Sequence, residues 1–211
     1  NHAQEDLYRR LLGEVLARPD FGLIAKPKKA SGREGLIRKF PGLVPLVEKA
    51  LSTGRFLILN GSDSPSEAAQ ASDLAVGVGA ASTPSLEAAL AGVPSVTYNI
   101  EGWTAQPFYE RGRGRILFTD LDEMLQAIRS FRLGEPADGF GDYSFVMPEI
   151  DPFRDGRARF RGGRYLKDLV DQFERGAGKE EALEYANKRY REAFGDDKVI
   201  SSGRIPAEMT V

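Results

Sequence analysis

Residues 72–99 read SDLAVGVGAASTPSLEAALAGVPSVTYN. Within this stretch DLAVGVG is a short apolar run. TPSLEAALAG carries a proline just after a hydroxylated residue and ends on glycine, and PSVTYN returns to strand composition. The spacing therefore predicts strand, helix and strand in direct succession. Strands joined through a helix pair in parallel, and a parallel sheet must be covered on both faces.

The same alternation extends outward. DLYRRLLGEVLAR (6–18) sets Leu7, Leu11, Leu12 and Val15 at helical spacing, and FGLIAK reads as a buried strand. GLVPLVEKALSTG predicts a helix ending at Gly54, RFLILN (55–60) a strand, SPSEAAQAS a helix, RILFTD a strand and LDEMLQAIRSF a helix. From Leu133 the chain becomes rich in Gly, Pro and Asp. Two amphipathic helices follow, one striped by Leu166, Leu169, Val170 and Phe173, the other by Leu183, Ala186, Tyr190 and Phe194. The expected organisation is a Rossmann-like α/β domain over 1–132, a linker over 133–153, a helical C-terminal extension over 154–198 and a tail over 199–211. The expected fold is one parallel sheet with helices on both faces, followed by that extension.

Composition narrows the chemistry. The 211 residues are 41% hydrophobic and 28% charged, enough to build a sizeable core, and the formal net charge is −2. A chain with no net positive field does not hold nucleic acid or an anionic membrane non-specifically, so any anion must be gripped locally. There is no cysteine. Thiolate catalysis, disulfides and zinc-thiolate sites are thereby excluded, and a cytoplasmic location is expected. No run is long and apolar enough to span a bilayer. The one histidine, His2, sits beside the terminus, so it is expected to carry no role and a His-based triad or metal site is not expected. The chain opens on Asn1, and the expectation is an excised piece or a processed form of a longer protein.

Two helix starts look alike. In SDSPSEAAQ (62–70), Ser64 fits the N-cap, Pro65 the first helical position and Glu67 falls three residues after the cap, which is a capping box. In the second, Thr83 as cap and Pro84 as first position leave Glu87 one residue late for a box. Glu87 then shares a face with Thr83 near free backbone N–H groups, while Leu86 and Leu90 turn toward the sheet. Gly77 and Gly79 would let a ligand approach the backbone, and Ser82, Thr83 and Ser85 offer hydroxyls at a helix N-terminus. Phosphate is the expected guest.

An aspartate closing one helix, a strand, a small-residue loop, TPSLEAALAGVP and a further strand together resemble the nucleotide-sugar-binding lobe of glycosyltransferases with the two-lobed GT-B fold, of the bacterial surface-polysaccharide kind. The resemblance covers residues 5–131, with its specific part at 72–99. It implies that Ser82, Thr83 and Ser85 face the donor phosphates and that Glu87 takes the ribose hydroxyls through charge-assisted bonds. It places Lys26, Lys28 and Arg33 beside the diphosphate, although a histidine often stands where Lys26 does. Asn60, Gly61 and Ser62 would lie near the base, and Glu101, Trp103 and Gln106 near the sugar. It implies a nucleotide-sugar donor as substrate with no separate cofactor or metal, a glycan acceptor, and a second, N-terminal acceptor lobe outside this chain. Residues 150–173 and 182–199 resemble the C-terminal extension of the same enzymes. The arginines 154, 157, 159, 161 and 164 have two readings, an anion site or a solvated face paired with Asp151, Asp155 and Asp168.

Other functions stay open on the sequence. A nucleotide-sugar epimerase of the same architecture would carry nearly the same lobe. GVGAAS approximates the dinucleotide fingerprint of NAD-dependent oxidoreductases, with Glu101 placed as a ribose acid, but Ser82 replaces the third glycine and two strands precede the motif. A non-catalytic nucleotide-binding or assembly module would also retain the pocket.

Overall fold

The computed structural model describes residues 2–27, 32–79, 82–105 and 108–198. The chain divides into two compact units, 1–143 and 144–211.

The first unit is α/β. Its strands are β1 (Leu23–Ala25), β2 (Phe56–Ile58), β3 (Ala75–Val78), β4 (Ser95–Tyr98) and β5 (Leu117–Phe118). Its helices are α1 (His2–Ala17), α2 (Gly32–Lys39), α3 (Val44–Leu51), α4 (Pro65–Gln70), α5 (Thr83–Leu90), α6 (Tyr109–Gly112) and α7 (Leu121–Arg132). All strand pairs are parallel, with Ile24 opposite Leu57, Val76 opposite Val96 and Thr97 opposite Leu117. The five expected strands form, but hydrogen bonding groups them as a two-stranded sheet, β1-β2, and a three-stranded sheet, β3-β4-β5, in place of one ladder. The strands are two to four residues long, and side chains do the joining.

That joining is specific. Leu7 and Leu11 of α1 are buried with Val96, Tyr98, Phe118 and the α7 residues Met124, Leu125 and Ile128. One turn away, Leu12 and Val15 are buried with Phe40, Leu43, Val47 and Phe56. One helix thus seats on both cores, and its four buried positions are those read from the helical spacing. Phe21 and Leu23 pack against both clusters as well. Removing a fully buried leucine such as Leu12 costs about 2–5 kcal/mol. Across α1 and α7, Glu14 binds Arg129 at 2.7 Å, and Arg18, just past the end of α1, binds the same carboxylate at 2.7 Å.

α7 starts where the sequence says it should. Asp120 caps it, accepting from the Glu123 amide at 2.8 Å, and the next positions carry acids that suit the helix dipole. The stretch expected as a linker divides. Residues 133–143 belong to the first unit, where Phe140 packs on Phe118 and Phe131 and the Ser95 amide donates to the Gly141 carbonyl at 3.1 Å.

The second unit is helical: α8 (Met147–Ile150), α9 (Ala158–Glu174) and α10 (Lys179–Phe194). α9 stops at a Schellman motif, with Ala177 N–H bonded to the Gln172 carbonyl, Gly176 N–H to the Phe173 carbonyl, and Gly176 at φ +86°. The face α9 turns to α10 differs from the expected stripe. Arg161 and Gln172 are the buried residues of α9, and Tyr165 pairs with Tyr190, whereas Leu166, Val170 and Phe173 are 61%, 52% and 48% exposed. The small side chains Ala182 and Ala186 are fully buried in α10 and let the tyrosines close the contact. Among the described residues no helix is long and apolar enough to cross a membrane.

Candidate functional site

The start of α5 is set one residue earlier than expected. Ser82, in extended conformation, is the N-cap, and Thr83 and Pro84 are the first two helical residues. The Ser82 carbonyl takes the Ser85 amide at 3.1 Å. Proline is tolerated in the first turn because its missing N–H would be unpaired there. This shift moves Ser85 to the third helical position and carries Glu87 still further from box geometry. It also corrects the expected inner face, because Ser85 and Ala88 are the buried residues of α5 and Leu90 is 40% exposed.

The shift explains why Ser85 faces inward. Its Oγ lies 3.1 Å from the Val96 carbonyl and 3.2 Å from Ser82 Oγ, and it accepts from the Thr97 hydroxyl at 2.9 Å. Ser95 Oγ donates to the Ser85 carbonyl at 2.8 Å, and Tyr143 OH lies 3.3 Å from Thr97 Oγ1. Ser82, Ser85, Ser95, Thr97 and Tyr143 are all buried. Burial pushes the Tyr143 hydroxyl above its ordinary pKa, so it stays protonated. A satisfied buried network of this kind fixes one geometry. It fastens the helix start to β4.

Gly77 is the third partner of this clamp. A Cβ there would lie 1.9 Å from Ser82 Oγ and 2.2 Å from Ser85 Oγ. The expectation that Gly77 opens the backbone to a ligand is thus corrected, since the helix hydroxyls fill that space. Gly79, at φ +108°, does turn the chain where a side chain would be strained, and its Cβ position is 3.9 Å from Glu101 Oε2. The loops after β3 and β4 therefore meet at Gly79 and Glu101.

Glu87 is half-buried and its carboxylate makes no hydrogen bond or ion pair among the described residues, and Thr83 is exposed. Glu67 contrasts only in part. Ser64 is the N-cap and Pro65 the first residue of α4, as expected, but no side-chain cap bond forms and Ser64 Oγ instead lies 2.7 Å from Ser66 Oγ. The box predicted for Glu67 is not made, and Glu67 is exposed.

The sugar-side candidates are organised by a residue that sequence reading passed over. Asn99, buried at the end of β4, donates from Nδ2 to the Trp103 carbonyl at 2.8 Å and accepts the Trp103 amide at 3.3 Å. The turn so held leaves the Trp103 ring 45% exposed and Glu101 exposed. An Asn directly after a strand, followed by Gly three positions on, was the available signal.

The remaining candidates gather at the carboxyl ends of β1 and β2. Lys26 Nζ donates to the carbonyls of Pro27 at 3.0 Å and Gly61 at 3.2 Å, tying the two strand ends together. Gly32, opening α2, approaches Asn60, while the Asn60 amide donates to Asp63 Oδ2 at 2.9 Å and Ser62 is exposed. Arg33 is paired with Glu48 on the surface. Lys28 and Gln106 lie outside the described residues. Among the described residues no hydrogen bond joins this group to the Gly79, Glu87 and Glu101 group. In the arginine series, Arg161 alone is buried and donates from Nη1 to both Asp155 oxygens, and Arg154, Arg157, Arg159 and Arg164 are exposed. No group of three or more His, Asp or Glu side chains suited to a metal ion occurs among the described residues.

What the first unit offers is thus a rigid helix start, an unpaired half-buried carboxylate on that helix, a glycine turn, and an exposed indole and carboxylate on the neighbouring loop. Comparison with protein-family models, with curated proteins and with solved structures returns no match.

Proposed function

We propose that the first unit is a Rossmann-like nucleotide-binding domain that holds a nucleotide-sugar, as the donor lobe of a glycosyltransferase acting on a glycan acceptor. The packing of Leu23 and Phe21 into both cores supports reading β2-β1-β3-β4-β5 as one doubly wound layer. In such a layer ligands bind beyond the strand carboxyl ends where the order reverses, between β1 and β3. The loops carrying Lys26 and Gly79 follow those two strands.

The observation that carries the reading is the division of labour on α5. Ser82 and Ser85 are spent on holding the helix to β4, and Glu87 is left unpaired in a half-buried position. An acidic side chain so held can accept from both vicinal ribose hydroxyls. Backbone N–H groups at the helix start, with Thr83 beside them, take the phosphates. Trp103 and Glu101 serve the sugar, the indole by stacking on a pyranose face and the carboxylate by accepting hydroxyls. Ser85 acts as a positioning residue for these groups.

One observation favours a second reading. Glu101 comes after the strand that follows the glycine turn and lies against Gly79, where a dinucleotide site keeps its ribose acid. Isothermal titration with UDP, GDP, CMP, ADP and NAD separates the two. Binding of a nucleoside mono- or diphosphate, tightened by its sugar, supports the transferase lobe. Tight binding of NAD alone overturns it in favour of an oxidoreductase.

A further inference from the structure

The second unit carries an open cleft of about 450 Å³ lined by residues 150–153, α9 and α10. Drug- and sugar-sized ligands occupy pockets of roughly 300–1,000 Å³. Arg161 reaches into the cleft with its guanidinium 3.8 Å from the Phe153 ring centre, but its charge is already matched by Asp155, whose two oxygens accept from Arg161 Nη1 at 2.8 and 2.9 Å. This pairing holds the Asp155 carboxyl below its ordinary range and the Arg161 guanidinium above its own. Tyr165 and Tyr190 stand edge to face with ring centres 6.1 Å apart.

We propose that this cleft binds a neutral glycan. The choice follows from the polar groups that line it. Tyr165 OH donates to Asn187 Oδ1 at 3.0 Å, which orients the amide and leaves its Nδ2 hydrogens to donate. Asp151 gives Oδ1 to the Arg154 amide at 3.2 Å and keeps Oδ2 to accept. A lining that mixes donors and acceptors matches a hydroxyl, which needs both. An anion needs donors only, and the one cation lining the cleft is neutralised. A ligand cation would meet Arg161 over the aromatic face it requires. Tyr165 and Tyr190, set nearly at right angles to each other, add aromatic surface to the lining against which the C–H face of a pyranose can rest. The Ala158 and Gly162 positions on α9 keep the floor open. The site rests on residues of the second unit alone and is independent of the nucleotide reading.

Saturation-transfer NMR on the full chain tests it, with cellohexaose, maltohexaose, chitohexaose and mannohexaose as neutral probes and a galacturonate hexamer and hexalysine as charged ones. At least one neutral probe is expected to receive saturation at its ring C–H protons, undisturbed by added UDP. Asn187→Ala, and Asp151→Asn, which keeps the acceptor for Arg154 but turns the free oxygen into a donor, are each expected to weaken binding at least about fivefold. The proposal is overturned if no neutral probe shows transfer at several millimolar, if a charged probe binds more tightly, if UDP displaces the glycan, or if Asp151→Asn leaves affinity unchanged.

Discussion

Gly77 and Ser82 are in contact across the β3–α5 turn so closely that a methyl group on the glycine would sit 1.9 Å from the serine Oγ and 2.7 Å from its Cβ. Gly77→Ala must therefore push the helix start off β4. Overpacking of this kind costs about 1–3 kcal/mol, a fall of several degrees in Tm for a domain of this size. A thermal melt within one degree of the parent would show that the helix start is not clamped.

Two hydroxyls two residues apart on α5 have opposite assignments. Ser85→Ala strips a hydrogen-bond partner from the buried Thr97 hydroxyl and is expected to cost about 1–2 kcal/mol in urea unfolding. Thr83 is exposed, so Thr83→Ala is expected to stay within about 0.5 kcal/mol. Equal losses at both positions would return the cap to Thr83.

This pair also marks where the sequence was readable. The strand–helix alternation and the buried face of α1 followed from apolar spacing, because burial and period are tied together by backbone geometry. The cap of α5 did not, since STPS offers adjacent hydroxyls and proline is allowed at either of the first two helical positions. A shift of one residue turned Ser85 from a ligand candidate into a clamp and exposed Leu90. On α9 the apolar stripe at Leu166, Val170 and Phe173 was present in the sequence, yet the contact with α10 is made by Tyr165, an amphipathic side chain whose ring meets Tyr190 and whose hydroxyl bonds Asn187. Asn99 went unnoticed because a single buried Asn holding a turn leaves almost no pattern.

The Glu14 carboxylate predicts an acid-side pH dependence. Burial raises its pKa, but hydrogen bonds and charge from Arg129 and Arg18 outweigh this and hold it below the ordinary glutamate value. The folded pKa lies under the unfolded one, so the contribution is complete above the unfolded value and is lost as pH falls through the folded one. Both arginines are 43–44% exposed, and the pair is screened, so Glu14→Gln is expected to cost at most about 1 kcal/mol at pH 7. The gap between variant and parent should narrow as pH falls from 7 through and below the ordinary glutamate range. A gap that stays constant over that range would contradict the assignment.

Trp103 is the chain's single tryptophan, so its emission reports on one loop. A nucleotide-sugar is expected to change that emission saturably, and the matching nucleotide without sugar to change it less. Asn99→Ala, which frees the Trp103 carbonyl and amide, should shift the emission to the red and blunt the response. No change on sugar-nucleotide binding detected by calorimetry would remove Trp103 from the site.

The most direct test of the nucleotide reading is calorimetric titration of the best-binding nucleotide-sugar into the parent chain and into Glu87→Ala. A carboxylate that accepts the ribose hydroxyls is worth about 1.5–3 kcal/mol, so the variant is expected to bind more than tenfold more weakly with its Tm unchanged. An affinity within about 0.5 kcal/mol of the parent, well below that range, would contradict the assignment of Glu87 to the ribose and with it the donor site built around α5.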